Sequence, residues 1–191
     1  GPRPDNIMVG LRAISNMESP QEKVLISTCD LPFLTADIIE EFISLCSGES
    51  DFYVPLINKN DFEERFPSAE ATFVKLMDGE WTTGCLYIAT VKGVLTARPH
   101  LERVFQNRKS KFKMASMLGF RFVWNYLMQR LTVPDVEKKI RELLGVKGVA
   151  VSGAPPELAF DIDYIEDYHY LTGQVCTQTK TADSAKVEEQ V

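Results

Sequence analysis

A short apolar run that ends in an aspartate constrains the fold of this chain more than any other segment. Residues 24–28 read Val-Leu-Ile-Ser-Thr, and Cys29, Asp30, Leu31 and Pro32 follow them. The run predicts a buried strand, and Pro32 breaks it. In an open α/β sheet, ligands bind just beyond the carboxyl ends of the strands. We therefore expect Asp30 to be a site residue.

The elements after this strand alternate between helix and strand. Thr35 is a candidate N-cap for a helix over 36–46, and the next strand is expected over 51–57. A helix between two strands is typical of a parallel sheet with crossover helices. This part of the sequence therefore favours an α/β fold.

The rest of the chain adds a hairpin, helices and two short strands. Segments 72–77 and 82–89 flank Asp78-Gly79 and predict an antiparallel hairpin. A helical pattern follows over 99–144, and short strands are expected over 146–151 and 158–162.

These elements predict one folded domain over residues 1–172. The polar segment 173–191 is predicted to be a disordered tail.

Charge and cysteine content exclude some classes of protein. The net charge of −6 argues against non-specific electrostatic binding of nucleic acid, which depends on Lys and Arg. The four cysteines are far apart and form no secreted disulfide pattern, so we expect reduced thiols and a cytoplasmic location. No apolar stretch approaches the ~20 residues of a membrane helix. We expect no membrane partner, and the oligomeric state is open.

A second acidic segment lies near the end of the domain, where Phe160 to Asp167 read FDIDYIED. Alternation along a strand sends Asp161 and Asp163 to the same side, where two acids can serve a metal. The competing interpretation is that Asp163 caps the next helix. Capping does not explain Asp161, which is expected inside the strand.

Asp30 also has two interpretations. It is either a turn aspartate before Pro32 or a hard oxygen ligand for Mg²⁺, which takes one or two carboxylates together with substrate phosphates.

At these residues the chain resembles the MobA-like nucleotidyltransferase family. The best-known members attach a nucleotide to a phosphorylated cofactor or sugar precursor. The resemblance spans about residues 5–171 and rests on the order and spacing of several motifs. They are Asp30-Leu31-Pro32, Leu34-Thr35, Asp78-Gly79, Thr82 to Leu86 and Phe160 to Asp167.

The resemblance implies a three-layer, Rossmann-like, mostly parallel sheet with an antiparallel hairpin insertion and a helical subdomain. It implies that Asp30 and Asp161 are the catalytic residues and hold Mg²⁺. The partners it implies are a nucleoside triphosphate and a phosphorylated small-molecule acceptor, which attacks the α-phosphorus and releases pyrophosphate. It also implies substrate contacts at Thr82, Thr83 and Gly84.

The sequence departs from the family pattern in two ways. Arg65-Phe66-Pro67, Arg108-Lys109-Ser110 and Leu118-Gly119 resemble a less characterised branch of that family. Thr82-Thr83-Gly84-Cys85 stands where that branch usually has Thr-Gly-Gly-Asn, which removes an amide donor and acceptor. The glycine-rich loop that wraps the triphosphate in the family is not found before Asp5. We therefore expect the chain as printed to bind a nucleoside triphosphate weakly or not at all.

A basic cluster is the best candidate site for a phosphorylated acceptor, although a solvated helix face is the competing interpretation. Arg108 and Lys109 are the residues chosen from it. The whole cluster is Arg103, Arg108, Lys109, Lys111 and Lys113.

Two other functions are open. A metal-dependent glycosyltransferase that uses a nucleotide sugar would employ Asp161-Ile162-Asp163 as a DxD-type metal motif, although such a motif normally follows a middle strand. A non-catalytic nucleotide-binding or scaffold domain is favoured by the absent loop and by the residues at positions 83 and 85.

Overall fold

The chain folds into the strands of one sheet and the helices that connect them, in a computed structural model that describes residues 9–10, 13–14, 22–107 and 110–173. The strands are β1 (Lys23–Ser27), β2 (Phe52–Asn58), β3 (Val74–Leu76), β4 (Gly79–Thr83), β5 (Leu86–Thr90) and β6 (Gly148–Ser152). The helices are α1 (Ala36–Leu45), α2 (Lys59–Arg65), α3 (Val91–Asn107), α4 (Lys111–Leu118), α5 (Phe120–Leu127), α6 (Val133–Leu144) and α7 (Ile165–Leu171). A 3₁₀ turn spans Pro156–Ala159.

The sheet is mostly antiparallel, so the prediction of a Rossmann-like, mostly parallel sheet is wrong. Its strand order is β1-β5-β2-β4-β3. Strand β6 lies off this path and also pairs with β2. Only the β2–β6 pair is parallel among the described strands. The reason is β5, which inserts between β1 and β2 and is antiparallel to both. Ile88 lies opposite Leu25 on one side and Tyr53 on the other.

The predicted strand over 82–89 is divided in two by a bulge. Both β4 and β5 pair with β2, but Thr83 lies opposite Leu56 and Ile88 opposite Tyr53, so the register shifts by two residues between them. Gly84 and Cys85 fill that shift, which is the arrangement of a β-bulge. A Cβ atom at Gly84 would lie 2.7 Å from the Leu158 carbonyl oxygen. Only glycine therefore allows this close approach.

Several local predictions are confirmed. Thr35 caps α1, because its hydroxyl accepts a hydrogen bond from the Ile38 amide. The predicted hairpin forms over β3 and β4, but it turns at Met77 and Asp78 rather than at Asp78-Gly79, because Leu76 pairs with Gly79. The long helical region begins earlier than predicted, at Val91. No helix among the described residues is long and apolar enough to cross a membrane.

The strand predicted over 158–162 is wrong. Pro155 and Pro156 lead into the 3₁₀ turn, and neither has an amide hydrogen for a sheet ladder. The chain leaves this turn at Phe160 and continues without a strand to α7. Nearly all of the predicted tail, residues 174–191, lies outside the described residues.

An aromatic cluster forms the part of the core that lies beneath the acidic residues. The rings of Phe33, Phe66 and Phe160 pack with centroids 4.9–5.2 Å apart. Leu31 and Phe160 are both buried in this cluster. Because they are the direct neighbours of Asp30 and Asp161, burying them brings the two aspartates to the same rim of the core.

Candidate metal and substrate site

Three carboxylates converge where β1 ends. Asp30, Asp161 and Asp163 each offer an oxygen, and these oxygens lie within 4.8 Å of one another. Asp30 and Asp161 are half-buried, whereas Asp163 is exposed. We call this group the acidic cluster. Asp30 and Asp161, which were predicted to share one site, thus lie next to each other.

Main-chain contacts fix the acidic cluster from below. The Ile162 amide donates a hydrogen bond of 3.1 Å to the Asp30 carbonyl oxygen. Ile162 lies between Asp161 and Asp163, so this bond attaches the segment with both aspartates to the turn after β1. The carboxylates of Asp161 and Asp163 therefore lie on the same side of the chain, although this segment does not form a strand.

Cys85 connects the bulge to the acidic cluster. Its amide donates to the Leu158 carbonyl oxygen over 2.7 Å, and its carbonyl oxygen accepts from the Thr28 amide over 3.1 Å. The thiol donates to Oδ2 of Asp161 over 3.6 Å. Bulges re-aim side chains beside functional sites, and here the bulge aims a thiol at a carboxylate. In the sequence, Cys85 stands out only as a departure from a family pattern, and its contact with Asp161 was not predicted.

Asp163 is not the cap of α7. Tyr164 occupies that position, and Oδ2 of Asp167 accepts hydrogen bonds from the amides of Tyr164 (2.8 Å) and Asp163 (3.0 Å). A carboxylate three residues into the helix therefore satisfies the free amides at its start. This leaves the Asp163 carboxylate for the acidic cluster. The Asp-x-Asp spacing was the signal in the sequence that could have assigned it.

The electrostatics of the cluster favour a positive charge. Burial, followed by the neighbouring Asp163 carboxylate, raises the pKa of Asp161. Burial, together with Asp161, raises the pKa of the Cys85 thiol to about 12, so this thiol is protonated at neutral pH. Oδ1 of Asp30 is buried with no hydrogen-bond partner. None of the ion pairs among the described residues includes a member of the cluster.

The donor set fits a hard divalent cation. Carboxylate oxygens are the ligands of Mg²⁺, Mn²⁺ and Ca²⁺, and a buried unpartnered oxygen is costly unless something binds it. The residues that could hold such an ion are Asp30, Asp161 and Asp163.

The remaining predicted site residues are placed as follows. Thr82 and Thr83 lie in β4 opposite Ile57 and Leu56, and Thr83 is exposed. Gly84 is buried against Leu158. Its close packing explains why the position holds glycine, and substrate contact at these three residues stays a prediction. Arg108 and Lys109 lie outside the described residues.

The fold is that of a solved structure described as a hypothetical transferase from Thermus thermophilus. The two chains are 28% identical and superpose with a TM-score of 0.78, over 87% of this chain and 69% of that chain. This similarity supports a transferase. No protein-family model matches the chain, and no curated protein matches it. The resemblance to the MobA-like family is not confirmed by these comparisons.

Proposed function

We propose that this protein is a divalent-cation-dependent nucleotidyltransferase. It would transfer a nucleotide from a nucleoside triphosphate to a phosphorylated small-molecule acceptor and release pyrophosphate. The observation that carries the proposal is the convergence of Asp30, Asp161 and Asp163 within 4.8 Å, with one oxygen of Asp30 buried and unpartnered. The similarity to a hypothetical transferase and the motif order around the same residues support it.

Mg²⁺ is the cation that we propose for the cluster, held by the three aspartates. When bound, it would neutralise charge on the substrate phosphates and align them, which supplies much of the rate in phosphoryl chemistry.

The protein's own residues supply orientation. The bond from Ile162 to Asp30 fixes the main chain beneath the cluster, so its geometry does not depend on the ligand. The Cys85 thiol, neutral because of its raised pKa, donates to Asp161 without adding charge. A neutral donor orients a carboxylate while leaving the charge of that carboxylate available to a cation.

A thermal-shift screen of the full-length protein tests this function. Each of the four nucleoside triphosphates is added with Mg²⁺ and, separately, with a chelator, because a ligand that binds only the folded state raises its stability. We expect one nucleotide to stabilise the protein only with Mg²⁺. Asp30→Asn should abolish that shift, whereas Asp61→Asn, which removes an exposed carboxylate outside the cluster, should preserve it. Equal shifts in both variants would contradict the proposal.

A glycosyltransferase that uses a nucleotide sugar is the second candidate. Asp161 and Asp163, two residues apart, both reach the cluster, as the two acids of a DxD motif would. The two activities differ in product. ³¹P spectra of a reaction with a nucleoside triphosphate show pyrophosphate for the first, whereas a nucleotide sugar yields nucleoside diphosphate for the second. Binding with neither product would favour a non-catalytic nucleotide-binding domain.

A further inference from the structure

A small cavity lies where α3, α4 and α6 meet. Its volume is about 230 Å³. Its lining comes from all three helices and consists of His100, Arg103, Ser116, Met117 and Leu143. His100 and Arg103 are three residues apart on α3, so they lie on one face of that helix. The cavity thus combines two basic side chains and a hydroxyl with two apolar residues.

The two basic groups of the cavity have no acidic partner among the described residues. The nearest acids along the lining helices are engaged elsewhere: Glu102 pairs with Arg98 at 2.8 Å, and Glu142 pairs with Lys139 at 3.3 Å. The positive charge of Arg103 is therefore not neutralised by these side chains.

The stretch of sequence that contains Arg103, Ser116 and Met117 is also basic. Residues 103–134 contain seven Lys or Arg and no Asp or Glu, in a chain whose net charge is −6. Charge of one sign, concentrated around a concave surface, raises the local concentration of a ligand of the opposite sign.

The wall of the cavity is held by a side-chain contact between helices. The side-chain nitrogen Nδ2 of Asn107 donates hydrogen bonds to the Arg103 carbonyl oxygen over 2.8 Å and to the Met117 sulfur over 3.8 Å. These contacts connect the end of α3 to α4 beside the lining residues. The cavity itself is open to solvent, and the side chains of His100, Arg103 and Ser116 are exposed.

We propose that this cavity binds a small organic phosphate. The Arg103 guanidinium suits a tetrahedral phosphate because its planar fork donates two parallel hydrogen bonds. His100 and Ser116 are further donors. Met117 and Leu143 would contact the organic part of the ligand. Because Arg103 belongs to the basic cluster predicted for a phosphorylated acceptor, this site deepens the proposed function and rests on it in that respect. Binding at the cavity itself requires no divalent cation.

The test uses the histidine rings as reporters. The chain has two histidines, His100 in the cavity and His169 on α7, so their ring signals are easily distinguished by NMR. The probes are inorganic phosphate and phenyl phosphate, each titrated with chelator present. We expect a saturable shift at His100, a smaller one or none at His169, and tighter binding of phenyl phosphate than of inorganic phosphate.

Matched variants distinguish specific binding of phosphate in the cavity from non-specific electrostatic attraction to basic residues. Arg103→Gln should weaken phenyl phosphate binding by about tenfold or more. Arg121→Gln removes an exposed base outside the cavity lining and should change binding by less than about twofold. If Arg103→Gln does not fold, Ser116→Ala serves instead, with a loss of about threefold or more expected.

Three outcomes would overturn the proposal. They are no saturation at His100, equal weakening by the Arg103 and Arg121 variants, or phenyl phosphate binding no tighter than inorganic phosphate. Asp30→Asn should bind phenyl phosphate like the wild type. Failure of this site is therefore distinguishable from failure of the proposed metal-dependent activity.

Discussion

The Ile162 amide donates a hydrogen bond of 3.1 Å to the Asp30 carbonyl oxygen, and this bond joins two segments that are far apart in sequence. It brings Asp161 and Asp163 to the turn after β1, where their oxygens lie within 4.8 Å of an Asp30 oxygen. The three carboxylates repel one another at this separation. A bound cation would offset this repulsion between the carboxylates.

Removing one carboxylate should stabilise the metal-free protein. We expect Asp163→Asn to raise the Tm in chelator by roughly 2 °C, because an exposed like-charge contact is lost. In millimolar Mg²⁺ the wild type should gain more stability than the variant. Differential scanning fluorimetry measures the Tm of both proteins in chelator and in Mg²⁺. A variant that is less stable than the wild type in chelator would show that Asp163 has a stabilising role instead.

The affinity for Mg²⁺ should rise with pH because of Asp161. Its pKa is raised above the usual 3.8 by burial and then by Asp163, so the folded state binds this proton more tightly than the unfolded state. Between the usual and the raised pKa, the metal-free protein loses stability as pH rises. A cation needs the ionised carboxylate, so its affinity increases over the same window.

Titration calorimetry and urea unfolding at several pH values check this prediction. Asp161→Asn should flatten the stability profile of the metal-free protein in that window. An unchanged profile in this variant would assign the titration to another group.

For metal affinity, a hydrogen-bond donor at position 85 should matter more than the thiol group as such. Cys85→Ser keeps a donor toward Asp161, whereas Cys85→Ala removes the hydrogen bond to Oδ2. We expect the alanine variant to bind Mn²⁺ about tenfold more weakly, as is typical for loss of a group that orients a ligand. The serine variant should stay within about threefold of the wild type. Calorimetry compares the three proteins, and equal affinities would remove Cys85 from the positioning of Asp161.

The glycine of the bulge should be required for packing. A Cβ atom at Gly84 would lie 2.7 Å from the Leu158 carbonyl oxygen and 2.9 Å from the Pro55 ring. Gly84→Ala should therefore lower the free energy of unfolding by about 1–3 kcal/mol. Gly148→Ala is the control, because its nearest neighbour would be 3.9 Å away. Urea denaturation measures both, and similar losses would contradict the packing argument.

The sequence predicted the local features of the site well. The helix cap at Thr35 depends on neighbouring residues, and so does the strand that ends before Asp30. The burial of that strand was not predicted correctly, because β1 is mostly exposed. The hairpin forms as expected, but its turn lies at Met77-Asp78, one residue before the predicted Asp78-Gly79. Short-range patterns are sufficient for such features. The pairing of Asp30 with Asp161 was predicted from the family resemblance, and the structure brings these two residues together.

The sheet could not be predicted in the same way. The apolar pattern over 82–89 indicates a buried strand but does not show which strands lie beside it or how they run. The insertion of β5 between β1 and β2 is decided by tertiary packing. Likewise, capping preferences alone could not show that Asp167, rather than Asp163, serves the start of α7.

Anomalous diffraction from crystals soaked in Mn²⁺ shows directly whether the acidic cluster holds a divalent cation. We expect a strong anomalous peak bound by Asp30, Asp161 and Asp163, and its loss in Asp30→Asn crystals but not in Asp61→Asn crystals. A wild-type crystal that shows Mn²⁺ only elsewhere, or none at the acidic cluster at millimolar Mn²⁺, would rule out the proposed metal site.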